Sequence, residues 1–206
     1  MQLLLKILAS QYNGERFYSD GNKTFVEGTR ADHSRSEFGQ FLRSEDFPLR
    51  EGLLGGTLTT GWPLLEPDSL KGKLKYQGRK KMDGKELIAM SYDAKGSASL
   101  DIMLYFDPET FRHVATVYKA SQHAGLSPFG AAAGDEASAR QQQTRYQIEE
   151  RFSDFKTADG LTLPSSYDLR FTGEFQNGFT KSVMWTVTTT RVLNNVNLDP
   201  KNFVIP

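Results

Sequence analysis

A period-two alternation of apolar and polar residues, repeated in stretch after stretch, limits what this 206-residue chain can fold into. Leu74 and Tyr76 alternate with lysines and a glutamine. Ile88, Met90 and Tyr92 share one parity, as do Ile102, Leu104 and Phe106, then Val114, Thr116 and Tyr118. Tyr146, Ile148 and Phe152, then Tyr167, Leu169 and Phe171, then Val183, Trp185 and Val187 repeat it. Such spacing gives a strand one buried face and one wet face. Between the stretches lie dipeptides that tolerate the left-handed backbone of hairpin turns: Asn13-Gly14, Asp20-Gly21, Asp83-Gly84, Asp159-Gly160 and Asn177-Gly178. Asp107-Pro108-Glu109-Thr110 fits a type I turn. Hairpins in this sequence order build an antiparallel meander. Residues 1–10 carry a lysine inside their apolar stretch and have no cleavage-type tail, so they read as a first strand rather than a signal peptide.

One region keeps a different rhythm. Ser34 and Glu37 have the spacing of a capping box, and Phe38, Phe41 and Leu42 follow at helical intervals. Asp46 predicts a second N-cap with Pro48 in the first turn, and Leu49, Leu53, Leu54 and Leu58 give that helix an apolar side, ended by Gly61-Trp62-Pro63. Gly52, Gly55 and Gly56 fall inside this helix, each costing about 1 kcal/mol relative to alanine. Residues 122–143 are small, polar and low in complexity, and predict a long mobile hairpin connection within one sheet. The whole of 1–206 is expected to form one domain of α+β class.

Catalytic signatures are missing. No nucleophile elbow, phosphate-binding glycine loop or paired metal-binding histidines occur. The three histidines, His33, His113 and His123, are scattered. His113, just after Asp107 and Glu109, reads as part of an ordinary surface turn or as the partner of a carboxylate. Glu149 and Glu150 are neighbours on a strand, so they point to opposite faces and cannot act as a pair. With 25 basic and 25 acidic residues, the chain lacks the charge of a general nucleic-acid binder. It has no cysteine, hence no disulfide framework and no thiolate metal site. No transmembrane-length apolar run occurs. Residues 71–85 hold seven Lys/Arg against Asp83, which predicts either an anion-facing patch or a lysine-protected sheet edge. Neither a cofactor nor a metal is expected.

Three segments in order carry a resemblance. Tyr105-Phe106-Asp107-Pro108-Glu109-Thr110, then Asp159-Gly160-Leu161-Thr162-Leu163-Pro164, then the tail from Asn194 through Leu198-Asp199-Pro200 to Phe203 and Pro206 resemble the lipoprotein-sorting (LolA/LolB-like) periplasmic carrier family over roughly residues 70–206. The resemblance implies an open antiparallel half-barrel with a helical lid over its concave face, and an apolar cavity that takes acyl chains of lipoproteins. It implies a non-enzymatic carrier of the periplasm or cell envelope whose signal peptide is not in this chain, with an envelope protein as donor or acceptor. The helical stretch 38–65 is the only apolar cover available to such a sheet. Leu49, Leu53, Leu54, Leu58 and Trp62 are then expected to line the lid, and Tyr76, Met90, Ile102, Leu104, Tyr167, Leu169, Phe171 and Trp185 the sheet. The same residues also fit a plain filled core, as in a structural or interaction module of the envelope. A hydrolase assembled from distant residues is a third reading.

Overall fold

The computed structural model describes residues 7–9, 12–19, 23–28, 36–59, 62–66, 72–93, 100–123, 143–175, 178–193, 196, 197 and 199. The fold is α+β and dominated by antiparallel sheet, with few helices. Two compact units divide the chain: Met1–Leu70 with Asp154–Ser166 and Thr188–Pro206, and Lys71–Ser153 with Tyr167–Val187.

In the first unit, β1 (Ile7–Ala9), β2 (Tyr12–Ser19) and β3 (Thr24–Gly28) form a three-stranded antiparallel sheet. Ile7–Ala9 meets the expectation of an opening strand; residues 1–6 and 10 lie outside the described residues. Asn13-Gly14 is not a turn. It lies within β2, where the register shifts between the Ile7–Glu15 and Ala9–Tyr12 pairings. The dipeptide therefore falls at a bulge. Asp20-Gly21 lies outside the described residues. Helix α1 (Glu37–Ser44) packs against β3 and α2 (Phe47–Arg50) against β2. Phe38, Phe41 and Leu42 are buried, and the Phe38 ring meets Phe17 edge-on at 5.6 Å.

Two helix expectations need correction. The cap of α1 is Ser36: its hydroxyl accepts from the Gly39 N–H at 3.0 Å and donates to Glu15 Oε2 at 2.6 Å. Ser34 lies outside the described residues. The second helix is one turn long, not four. Gly52, Gly55 and Gly56 have φ of 67°, 86° and 48°, so they leave the right-handed region and stop the helix. Gly56–Leu58 and Pro63–Leu65 continue as short 3-10 turns, and Trp62 precedes the second of these as its cap. Asp46 occupies the predicted N-cap of α2, yet its carboxylate makes no cap bond. It accepts from Thr24 Oγ1 at 3.1 Å and pairs with Arg50 at 3.0 Å.

The second sheet is a seven-stranded meander in sequence order: β4 (Lys73–Met82), β5 (Lys85–Asp93), β6 (Leu100–Phe106), β7 (His113–His123), β8 (Gln143–Ala158), β9 (Leu161–Glu174) and β10 (Thr180–Thr188). β4 and β10 are its outermost strands. Asp83-Gly84 links β4 to β5 with φ of 49° and 78°, and Asp159-Gly160 links β8 to β9 with 51° and 81°. Both positive values are the mark of a type I′ hairpin turn, whose twist suits the flanking strands. Space around Gly160 is open, so a Gly160→Ala change meets no clash. It is expected to cost about 1 kcal/mol from the left-handed backbone alone, measured as a shift in urea midpoint. Gly178, with φ of 80°, serves the last hairpin, where its N–H donates to the Phe175 carbonyl at 2.9 Å; Asn177 lies outside the described residues.

At Asp107, the Oδ1 atom accepts from the N–H groups of Glu109 (3.1 Å) and Thr110 (2.8 Å) and from the Thr110 hydroxyl (2.9 Å). These bonds, led by the Thr110 N–H, hold its carboxyl below the usual range. Strand pairing also reaches into residues 122–143 from both ends, with His123 opposite Gln143. The rest of that expected connection, 124–142, lies outside the described residues.

Candidate functional site

Cross-strand register sorts the second sheet's side chains into two faces. Tyr76 lies opposite Met90, Met90 opposite Leu104, Tyr92 opposite Ile102, and Ile102 opposite Tyr118. Tyr118 lies opposite Ile148 and Thr116 opposite Glu150. The Tyr146 and Phe171 rings stack at 5.7 Å, and those of Phe152 and Tyr167 at 5.2 Å. Hydrogen bonds from Thr186 to Asp168 and between Thr172 and Ser182 set the register of β10 on β9. Directly opposed residues share a face, so Val183, Trp185 and Val187 join Phe171, Leu169 and Tyr167.

All eight strand residues expected to line an apolar surface, Tyr76, Met90, Ile102, Leu104, Tyr167, Leu169, Phe171 and Trp185, therefore belong to one face. Ile102, Leu104, Tyr167, Leu169 and Phe171 are buried. Met90 and Trp185 are half-buried, and Tyr76 is 64% exposed. In the first unit, Leu49, Leu53, Leu54 and Trp62 are buried and Leu58 is half-buried. Val114 is the one residue the alternation misassigned. A register shift beside Phe106 puts His113 opposite it and leaves Val114 as the extra residue.

Polar groups are sunk into the middle of this apolar face. Glu150 is 0% exposed. Its Oε2 accepts from the Tyr118 hydroxyl and its Oε1 from the Tyr167 hydroxyl, both at 2.7 Å. One carboxylate thereby ties β8 to both its neighbours. Burial, followed by the charge of Glu150, pushes the Tyr118 and Tyr167 hydroxyls well above the usual tyrosine range. On the same face, Thr116 Oγ1 lies 2.8 Å from His113 Nε2. Tyr118 and Tyr167 thus share Glu150, and a hydrogen-bonded His113–Thr116 pair lies beside them. His113 is 2% exposed and flanked by the Phe106 and Phe152 rings, at 5.5 and 4.7 Å. It is therefore not part of a surface turn, and its Nε2 is hydrogen-bonded to the Thr116 hydroxyl. Burial lowers its pKa to about 3, so it is neutral at pH 7.

Sequence reasoning missed this cluster. It separated Glu149 from Glu150 correctly, but nothing local marks Glu150 as buried. The two tyrosines were read as apolar strand residues, and their hydroxyls gain meaning only from the register. On the opposite face Glu149 pairs with Arg151, which also binds Asp83 as the β4–β5 turn folds over. The basic stretch falls mostly on outermost strand β4, where Lys75 pairs with Asp93 and Arg79 with Glu86. That placement fits a protected edge.

A separate cleft of about 150 Å³ in the first unit is lined by Lys156, Leu161, Pro164, Arg191 and Val192, among others. It includes none of the expected lining residues and falls below the roughly 300–1,000 Å³ of small-molecule sites. No described helix is long and apolar enough to cross a membrane. Comparison of the chain with protein-family models, with characterised proteins and with solved structures gives no significant match.

Proposed function

We propose that this protein binds an acyl chain, free or as part of a lipoprotein, on the apolar face of its meander, as a divergent LolA/LolB-like carrier of the periplasm or cell envelope. The observation that supports this most is the gradient of exposure across that face. Its centre, from Ile102 to Leu169, is buried, whereas both flanks present large apolar groups: Tyr76 and Met90 on one side, Val183, Trp185 and Val187 on the other. Such a face offers a flexible hydrocarbon a bed without demanding charged contacts. Each methylene removed from water adds about 0.8 kcal/mol, so a long chain can bind tightly by area alone. The sheet in this reading is an open half-barrel. A donor or acceptor protein of the envelope passes the ligand on.

A second reading, a structural or interaction module with a filled core, is favoured by the close ring stacks and the satisfied hydrogen bonds around Glu150. Titration with an apolar fluorescent probe separates the two. The carrier reading expects saturable binding that a long-chain fatty acid displaces, with a change in Trp185 emission. Met90→Lys, at a half-buried position of that face, is expected to weaken binding roughly tenfold or more, equivalent to about 1.4 kcal/mol. A folded protein that binds no probe, or a variant with unaltered affinity, would overturn the carrier reading and leave the module.

A further inference from the structure

The two outermost strands of the seven-stranded sheet are protected very differently. β4 carries Lys73, Lys75, Arg79, Lys80 and Lys81 among its ten residues. Charges of this kind are how a sheet edge avoids pairing with another chain. β10, with sequence TKSVMWTVT, has one charge, Lys181, and neither proline nor acid. Eight of its nine residues are exposed, and no described strand lies beyond it.

We infer that β10 is an interface, and that its occupant is β10 of a second copy of this chain, added antiparallel about a two-fold axis. The residue order supports that choice of partner. A two-fold axis normal to the sheet keeps each face continuous, so opposed residues must have the same parity. Thr180–Thr188 is centred on Met184, and a register about Met184 pairs all nine residues. Trp185 then faces Val183 of the second copy, twice, on the apolar side. Ser182 faces Thr186, and Thr180 faces Thr188, twice each. Aromatic with β-branched and hydroxyl with hydroxyl are the cross-strand pairs that stabilise a sheet. Lys181 meets Val187, so no like charges oppose. The same operation on β4 would set lysines against one another. Pairing would cover Met184, which is 55% exposed. This inference is independent of the acyl-chain reading, since it requires only the sheet edge.

Sedimentation velocity of the whole chain over a concentration series tests it. The wild type is expected to shift towards the mass of two chains as concentration rises. Met184→Lys, which sets two like charges at the axis, is expected to weaken association roughly tenfold or more. Phe111→Lys, at a more exposed apolar residue of the β6–β7 turn, should dimerise like the wild type. Because the chain has no cysteine, Met184→Cys supplies a second measurement should Met184→Lys fail to fold. It is expected to form a disulfide-linked dimer under mild oxidation, whereas Lys75→Cys on β4 is not. A wild type that stays monomeric, including one that instead takes up an extended peptide, would overturn the inference. So would a folded Met184→Lys that associates as the wild type does, loss of association in Phe111→Lys, or equal cross-linking from β4.

Discussion

Glu150→Ala is expected to cost about 3–5 kcal/mol of folding stability, enough to remove a large part of what a domain of ordinary stability has. The substitution removes the shared acceptor of Tyr118 and Tyr167, both buried. Each hydroxyl stranded in that apolar face carries a desolvation penalty of about 1–3 kcal/mol, and the lost side-chain volume adds to it. Equilibrium unfolding in urea gives the measurement. Glu150→Gln keeps the shape and one acceptor oxygen, so its expected loss is smaller. The triple change Tyr118→Phe, Glu150→Leu, Tyr167→Phe removes the donors together with the acceptor. It is expected to recover most of the loss, because an apolar replacement of a whole buried polar group is often close to neutral. If Glu150→Ala unfolds at the wild-type urea midpoint, the carboxylate is not the tie between β7, β8 and β9.

The second large effect is acid lability centred on His113. Its pKa is about 6.5 in an unfolded chain and about 3 in the folded protein, lowered chiefly by burial. Above pH 6.5 the imidazole is neutral in both states and contributes no pH dependence. As pH falls below 6.5 the unfolded chain takes up a proton that the folded protein refuses, so stability drops by about 1.4 kcal/mol per pH unit until the folded pKa is reached. Between pH 7 and pH 4 the loss from this residue is about 3 kcal/mol. Carboxylates titrate in the same range, so the informative quantity is a difference between proteins. His113→Gln, which can still hydrogen-bond Thr116, should lose about 3 kcal/mol less than the wild type over that interval. Parallel pH curves for the two proteins would show that His113 is accessible to protons in the folded state.

Both predictions concern groups whose importance the chain does not announce. Glu150 looks like half of an acidic dipeptide on a polar stretch, and its burial follows from the β7–β8 register that sets it opposite Thr116. Register is a long-range property, and a slip of one residue would have put Glu149 there instead. His113 was misread because a one-residue bulge beside Phe106 turns it inward. The bulge has no local signature beyond the Asp107 turn that precedes it. In the 47–58 stretch the glycine signal was present but given the wrong weight. Three glycines close together read locally as weak helix residues, whereas their positive φ values end the helix after Arg50. Leucines at helical spacing are thus buried by turns, because burial needs only a compact path.

The meander, the positions of its Asp-Gly hairpins and the alternation within each strand are legible in the chain alone. These depend on neighbours two to four residues apart, where backbone sterics and side-chain alternation act directly. Which polar groups enter the apolar face, how they satisfy one another, and which outermost strand carries a single charge follow from the three-dimensional packing. Those outcomes depend on residues brought together across three strands and as much as 32 positions of chain, as between Tyr118 and Glu150. At that separation, burial and hydrogen bonding are set by packing rather than by local preference.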